Sequence, residues 1–491
     1  MGARDRDIAQ AKDFIAPPGH SRHRPEATLL YQTVAEHYPR FRERRAAEGR
    51  ALPRYVEDEF DAYLKCGLLE HGFLRVKCDA CQAEKLVAFS CKRRGFCPSC
   101  GARRMAETAA LLVDNVLPQQ PVRQWVLSLP FALRYLLATR PAVITQVLGI
   151  VYRAISGHLI CQAGLTRASA ATGAVTLIQR FGSALNLNVH FHLLVLDGVY
   201  QREGKDLLRF VPVPAPSAQD LTRLVQRIAE RIGRSLERAG LITRDVDNAY
   251  LDFDPGEESP MHGLLGSSIT YRIATGPREG QKVFTLQTLP AEPDTARPEV
   301  AEGAGFSLHA GLAAKPSQRD KLERLARYVA RPPVAAGRLA LTGSGHVRYA
   351  LKTPYRDGTT HVIFEPEDFI ARLAALVPKP RAHLTRYHGV FAPASPDRSR
   401  VVPKTRAAAG SEHHEPSTIN PQRAMTWAQR LKRVFAIDIE TCRHCGGRLR
   451  VIASIETPAV IERILVHLGR DGESVDPAHP SRAPPRSDRL I

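Results

Sequence analysis

The sequence predicts an α+β fold in which a cysteine-rich module precedes a larger domain of mixed strands and helices. Three observations carry this expectation. Two CxxC pairs, Cys78/Cys81 and Cys97/Cys100, follow one another within 61–115. Apolar strand-like runs at 125–129, 174–181 and 188–196 are mixed with amphipathic helical patterns. The chain's 491 residues exceed what one hydrophobic core organises, so two to four domains are expected.

Composition narrows the function classes. With 44% hydrophobic residues the chain has enough apolar surface to build cores, which excludes full disorder. Lys and Arg number 69 against 50 Asp and Glu, a formal charge of +19. That surplus favours polyanionic partners, nucleic acid above all. Most of it is Arg, whose planar fork matches a phosphate, although a GC-rich genome also inflates arginine codons. The opening MGARDRDIAQ is charged and gives no secretory signal. The most apolar segment, 142–152, is bounded by Arg140, Pro141 and Arg153. It falls short of the about 18 apolar residues that a membrane crossing needs, so no membrane partner is expected. Nine Cys, several in CxxC pairs, fit a reducing cytoplasm and bound metal better than a disulfide framework.

In chain order, 1–60 carries charged helical patterns, and 61–115 forms the cysteine-rich domain. The larger domain, 120–391, opens with the strand WVLSL and a helical segment over 133–159. Strands at 174–181 and 188–196 follow. A helix over 218–238 has Leu221, Leu224, Val225, Ile228 and Ile232 at the spacing of one buried face. Short strands and turns fill 267–290, and 290–303 reads as an exposed loop. A helix over 318–330 ends at Pro332-Pro333, which cannot continue it. Strand-like pieces at 337–352 and 361–364 lead to a helix over 366–377. Proline, charge and small residues make 392–424 a flexible linker. A compact module with its own CxxC follows over 425–470, and 471–491 is expected to be disordered.

Three constellations carry chemistry. Cys78, Cys81, Cys97 and Cys100 have the spacing of a closed, zinc-ribbon-like structural Zn²⁺ site. Cys66, His71 and Cys91 are extra, as buried thiols or a second site, with the buried reading preferred. Lys92, Arg93, Arg94, Arg103 and Arg104 give the module a cationic rim suited to gripping DNA. Cys442 and Cys445 are half of a further metal site whose other ligands are not evident. In NVHFHLLVL, His190 and His192 share one side of a strand while Phe191 points into a core. A solvated polar face would explain an isolated pair, but the apolar flanks mark a buried strand, where two imidazoles need a partner such as a divalent cation. Tyr328 lies off the apolar stripe Leu322, Leu325, Ala326 and Val329, among Lys321, Arg324 and Arg331. Such cations favour phenolate and could clamp a phosphodiester; an amphipathic surface tyrosine is the plainer alternative.

Histidine-hydrophobic-histidine followed by a helix tyrosine resembles the signature of HUH endonucleases. More closely, the chain resembles bacterial rolling-circle transposases of the insertion-sequence and common-region type, which place a zinc-binding domain before an HUH nuclease. The matching stretches are CKRRGFCPSCGARRM (91–105), LNLNVHFHLLVLDGVY (185–200), RYVARPPVA (327–335), HLTRYHGVFAP (383–393) and VFAIDIETCRHCGGRLRVIASIE (434–456). Some members carry two tyrosines four residues apart on the helix; here Arg324 takes the earlier position, so the single-tyrosine branch is the nearer likeness.

The resemblance implies an HUH nuclease over 120–391, with its histidines on a central antiparallel sheet and its tyrosine helix close by. It implies a nick in single-stranded DNA at an element's end, with Tyr328 as nucleophile and a 5′-phosphotyrosine intermediate. Mg²⁺ or Mn²⁺ would sit on His190 and His192, with a third ligand for which Gln179 is the candidate, while Lys321, Arg324 and Arg331 hold the phosphate. The partners implied are the element's single-stranded ends, target DNA and a second subunit in a homodimer, in a bacterial cytoplasm. A plasmid replication initiator or relaxase shares the same motif, and a non-catalytic zinc-ribbon DNA-binding regulator is the alternative of another class.

Overall fold

The computed structural model describes residues 24–204, 207–244, 249–251, 259–291, 299–403 and 440–467. Residues 1–23 of the N-terminal region, 404–424 of the expected linker, 425–439 and the expected disordered tail lie outside them.

Helices α1 (Leu29–Ala47) and α2 (Arg54–Leu64) open the described chain, followed by the hairpin β1 (Phe73–Cys78) and β2 (Glu84–Ala88) and helix α3 (Pro98–Asn115). The larger unit is organised by a six-stranded sheet. Its strands are β3 (Val122–Ser128), β4 (Gly173–Phe181), β5 (Leu187–Leu196), β6 (Val300–Gly303), β7 (Phe306–Ala314) and β8 (Thr385–Gly389), in the spatial order β6-β7-β3-β5-β4-β8. Every neighbouring pair runs antiparallel. The α+β expectation is met at the level of mixed helices and antiparallel sheets.

Strand β5 is central, and its near-continuous apolar run follows from burial on both faces. Phe191, Leu193 and Val195 join Trp125 and Leu127 in one core, with helices α4 (Ala142–Gln162), α5 (Ala218–Arg238) and α7 (Pro366–Leu376). Leu194 and Leu196 join Val122, Val175 and Leu177 in a second core, closed by α3 and by α6 (Arg319–Val329). The alternation expected of Phe191 and the two histidines is therefore observed, and the histidines lie on the α3/α6 face.

At the end of β5, Asp197 receives a two-pronged hydrogen bond from the buried Arg123 of β3, at 2.9 and 2.7 Å. The same guanidinium donates to the carbonyl of Ala310 on β7 at 2.9 Å. One satisfied charge pair thus ties three strands.

Several expectations need correction. The helical segment 133–159 is two helices, Phe131–Thr139 and α4, because Pro141 lacks the N–H that would continue the first. Helix α4 runs past Arg153 to Gln162, so its 21 residues are long and apolar enough to cross a membrane. Leu148, Val151, Ile155 and Leu159 instead pack in the main core. The loop expected over 290–303 contributes an edge strand, Val300–Gly303, with Ala301 buried. Residues 392–403 are docked: Val401 is buried and Asp397 accepts a hydrogen bond from Arg202 at 2.8 Å. The C-terminal segment does not stand as a separate module. Its strand β9 (Leu449–Ile455) pairs antiparallel with β1 and completes a three-stranded sheet. Helix Pro458–His467 covers that sheet through Ile461 and Leu465.

Candidate active site and metal centres

The two histidines meet. His190 Nε2 and His192 Nε2 are 3.1 Å apart, which matches two cis nitrogens on one divalent ion at about 2.1 Å. His190 Nδ1 lies 2.9 Å from the carbonyl of Asn188. A carbonyl only accepts, so that nitrogen carries the proton and Nε2 presents its lone pair. His192 Nδ1 lies 2.7 Å from the side-chain amide of Gln124, a buried residue of β3. Burial is the main cause holding both imidazoles neutral: His190 is lowered to about 4 and His192 well below its usual value. Arg331 pushes both in the same direction, and His190 and His309 add to the effect on His192.

Gln179 stands opposite His190 in the β4–β5 register, so the pairing on which its candidacy depended is present. Its amide nitrogen donates to the carbonyl of Val329 at 2.5 Å, which fixes the orientation of the amide. The other atom, Oε1, is buried with no hydrogen-bond partner. An orphaned oxygen on the residue paired with His190 has the chemistry of a cation ligand, since leaving it unpaired otherwise costs about 1–3 kcal/mol.

Tyr328 reaches the same place from the last turn of α6. Its ring stands edge-on to His192, with centroids 6.2 Å apart and an interplanar angle of 86°. Arg331 and Lys352 lie over the tyrosine ring at 4.2 and 4.5 Å from its centroid. Leu322, Ala326 and Val329 are buried as the stripe required, and Leu325 and Tyr328 are half-buried beside them. Lys321 and Arg324 are half-buried on the same helix and form no ion pair with a described residue.

Helix α6 is held by the cysteine-rich region. Arg319 donates to the carbonyls of Val113, Leu117 and Pro118 at the end of α3, satisfying groups that a helix terminus leaves open. Near the start of α3, a Cβ on Gly101 would sit 2.5 Å from the Cβ of Pro332, so only glycine allows that approach. Arg93, Arg94 and Arg104 line a pocket that also includes Gln179 and Arg331. Arg103 is turned to Glu107, at 3.1 Å.

The single four-cysteine site expected from Cys78, Cys81, Cys97 and Cys100 is not what forms. Those residues divide between two clusters: Cys66, Cys91, Cys97 and Cys100 in one, and Cys78, Cys81, Cys442 and Cys445 in the other. The hairpin is the reason. Its turn carries Cys78 and Cys81, and the five steps from Phe73 to Cys78 span about 17 Å, far from the end that leads to Cys91. At that end the Gly67 N–H donates to the carbonyl of Phe89, bringing Cys66 beside Cys91. The buried-thiol reading of Cys66 and Cys91 is therefore overturned, and His71 belongs to neither cluster.

In the first cluster sulfur separations are 3.8 Å (Cys66–Cys100), 3.4 Å (Cys91–Cys100) and 3.7 Å (Cys97–Cys66). In the second they are 3.5 Å (Cys78–Cys445) and 3.6 Å (Cys81–Cys442). Tetrahedral Zn²⁺ with bonds of about 2.3 Å places sulfurs about 3.8 Å apart, so both sets fit. Without a cation the thiols compete for charge: sulfur neighbours push Cys97 well up and Cys100 well down. Gly447 packs into the second cluster, where a Cβ would lie 3.0 Å from Cys78 Sγ.

Two protein-family models match the chain. Residues 173–399 match the family model described as "Putative transposase", which contains β4, β5 and α6. That match supports a transposase as the class of the chain. Residues 33–129 match the transposase zinc-binding domain of the IS91 type, and the two matches together support an IS91-family transposase with structural zinc. No curated protein and no solved structure gave a match.

Proposed function

We propose that this transposase nicks and rejoins single-stranded DNA at the ends of its element through a 5′-phosphotyrosine intermediate, in rolling-circle fashion, as an HUH enzyme of the single-tyrosine branch. The observation that carries this reading is the edge-on approach of the Tyr328 ring to His192, itself 3.1 Å from His190. The Tyr328 oxygen attacks phosphorus as the P–O3′ bond breaks. The phenol proton passes to solvent, the leaving 3′-oxygen takes a proton from water, and the strand leaves with a 3′-hydroxyl. The phosphotyrosine conserves the energy of the broken ester, so a later 3′-hydroxyl reseals DNA by reversing the step. Arg331 and Lys352 hold positive charge at the tyrosine during attack, and Lys321 and Arg324 steer the backbone along α6.

His190, His192 and Gln179 would hold Mg²⁺ or Mn²⁺, which supplies Lewis-acid polarisation of the scissile phosphate. Ligation through both Nε2 atoms requires Gln124 to present its oxygen to a protonated His192 Nδ1, a turn of the amide by half a revolution. One nucleophilic tyrosine per chain suggests reuse of Tyr328 or a partner copy in a homodimer, acting in the cytoplasm where the thiolates stay reduced.

The test is adduct formation. Protein incubated with Mn²⁺ and single strands tiled across the DNA flanking its gene gives a denaturant-resistant complex, and Tyr328→Phe abolishes it. An adduct that survives Tyr328→Phe removes this nucleophile, and silence of both proteins on every strand favours a non-catalytic DNA-binding regulator.

A further inference from the structure

A pocket of about 300 Å³ lies between the start of α3 and the segment that leaves Tyr328. Arg93, Arg94 and Arg104 line it from the cysteine-rich region, Arg180 from β4 and Arg331 from just past α6, with His383 also in the lining, and Arg94 donates to the carbonyl of Ala382 at 2.8 Å. No carboxylate lines it. Two acids lie close to its arginines: Glu59, which is buried and accepts the Gly95 N–H at 2.6 Å, and Glu107, which pairs with Arg103 at 3.1 Å. Five arginines among the lining residues and no carboxylate give the pocket a cationic wall, which favours an anion.

Arg180 is the decisive member. It is only 9% exposed, its Nε has no partner, and its one hydrogen bond is a long one, 3.5 Å, to the carbonyl of Ala375. A buried guanidinium has five donors to satisfy, and this one leaves most of them open. Arg104 spends its bonds on the carbonyls of Lys92 and Arg93, at 3.1 and 3.2 Å, and so positions the wall. Nothing in the sequence singled out Arg180, which follows Gln179 in a strand otherwise taken as apolar.

We infer that this pocket binds a second phosphodiester of the strand being cut, beside the scissile one, and that the cysteine-rich region thereby contributes to the active site itself. The inference rests on the proposed single-strand nicking. It makes Arg93, Arg94, Arg104 and Arg180 positioning residues. They fix the register of the strand, so that the phosphate held here sets which neighbouring phosphate meets Tyr328.

The experiment uses the full chain with its zinc and a fluorescent single-stranded oligonucleotide from the flanking DNA. Affinity is measured against salt for wild type, Arg180→Gln and Arg93→Gln. Each substitution is expected to weaken binding by about tenfold and to lower the salt slope by about one phosphate. A methylphosphonate at one linkage next to the cut should cost wild type about the same and cost the variants nothing further. Two folded variants that retain wild-type affinity, slope and sensitivity to every neutral linkage overturn the pocket. Should Arg180→Gln fail to fold, Arg93→Gln decides alone. Adduct formation by wild type with silent variants sinks the pocket and leaves the nuclease reading intact. The reverse pattern, lost phosphate contact without any adduct, sinks the nuclease reading and leaves the pocket.

Discussion

His190 and His192 were visible because two imidazoles alternate within an apolar run, and a buried strand gives them no ordinary excuse. Gln124 obeyed the same rule unnoticed: it is a polar residue in a strand buried on both faces, 1% exposed. Lys352 gave no local signal, since it reaches Tyr328 from a different segment of chain. His190→Ala or His192→Ala is expected to abolish adduct formation while leaving DNA retention within about twofold, because phosphate contacts elsewhere dominate affinity. Gln124→Ala should weaken Mn²⁺ binding about 10–100-fold, the usual penalty for losing an imidazole's orienting partner, read by electron paramagnetic resonance. His388 offers a separate test of stability against pH. Burial lowers it to about 4, and its Nε2 lies 3.0 Å from the Thr176 hydroxyl. The unfolded chain takes up this proton below about pH 6.5 while the folded chain resists until about 4, so stability falls as pH drops across that window. The loss reaches at most about 3 kcal/mol, and His388→Asn should flatten that part of a urea-unfolding series measured from pH 7 to pH 4.

Elements were legible where a repeat in hydrophobicity is long. Helix α5 follows the expected bounds, β4 and β5 start one residue early, and α6 is one residue shorter at each end. Breaks were less legible: Pro141 interrupts an apolar pattern that continues on both sides. Docking was not legible at all, because the α3–α6 contact depends on a glycine and an arginine that read locally as nothing special. Gly101→Ala is expected to push Pro332 away and cost about 1–3 kcal/mol by overpacking. The adduct rate should fall with it, which thermal unfolding and a single-turnover time course would separate. Arg123→Met should cost more, about 3–5 kcal/mol, since it leaves Asp197 buried and unpaired.

At the scale of the whole molecule, counting misled where pairing decides. Two adjacent CxxC motifs look like one site, but a rigid hairpin stands between them and each finds its partners elsewhere in the chain. The arithmetic of eight cysteines as four and four was available from sequence; the spatial assignment was not, because Cys442 and Cys445 are remote in sequence. Native mass spectrometry is expected to show two zinc ions per chain. Cys442→Ser with Cys445→Ser should leave one, with amide exchange rising across Leu449–Ile455 and not across α3. Retention of two ions by that variant would refute the second centre.

Cys78 and Cys445 are 367 positions apart, yet one ion would hold both. At translation rates of roughly 5–20 residues per second, the hairpin thiols wait roughly 20–70 s for their mates to emerge from the ribosome. Any product that stops early, through a late nonsense codon or a frameshift, keeps two reactive sulfurs and a bare strand edge open to proteolysis. A metal held there would therefore couple completion of the polypeptide to closure of its early hairpin.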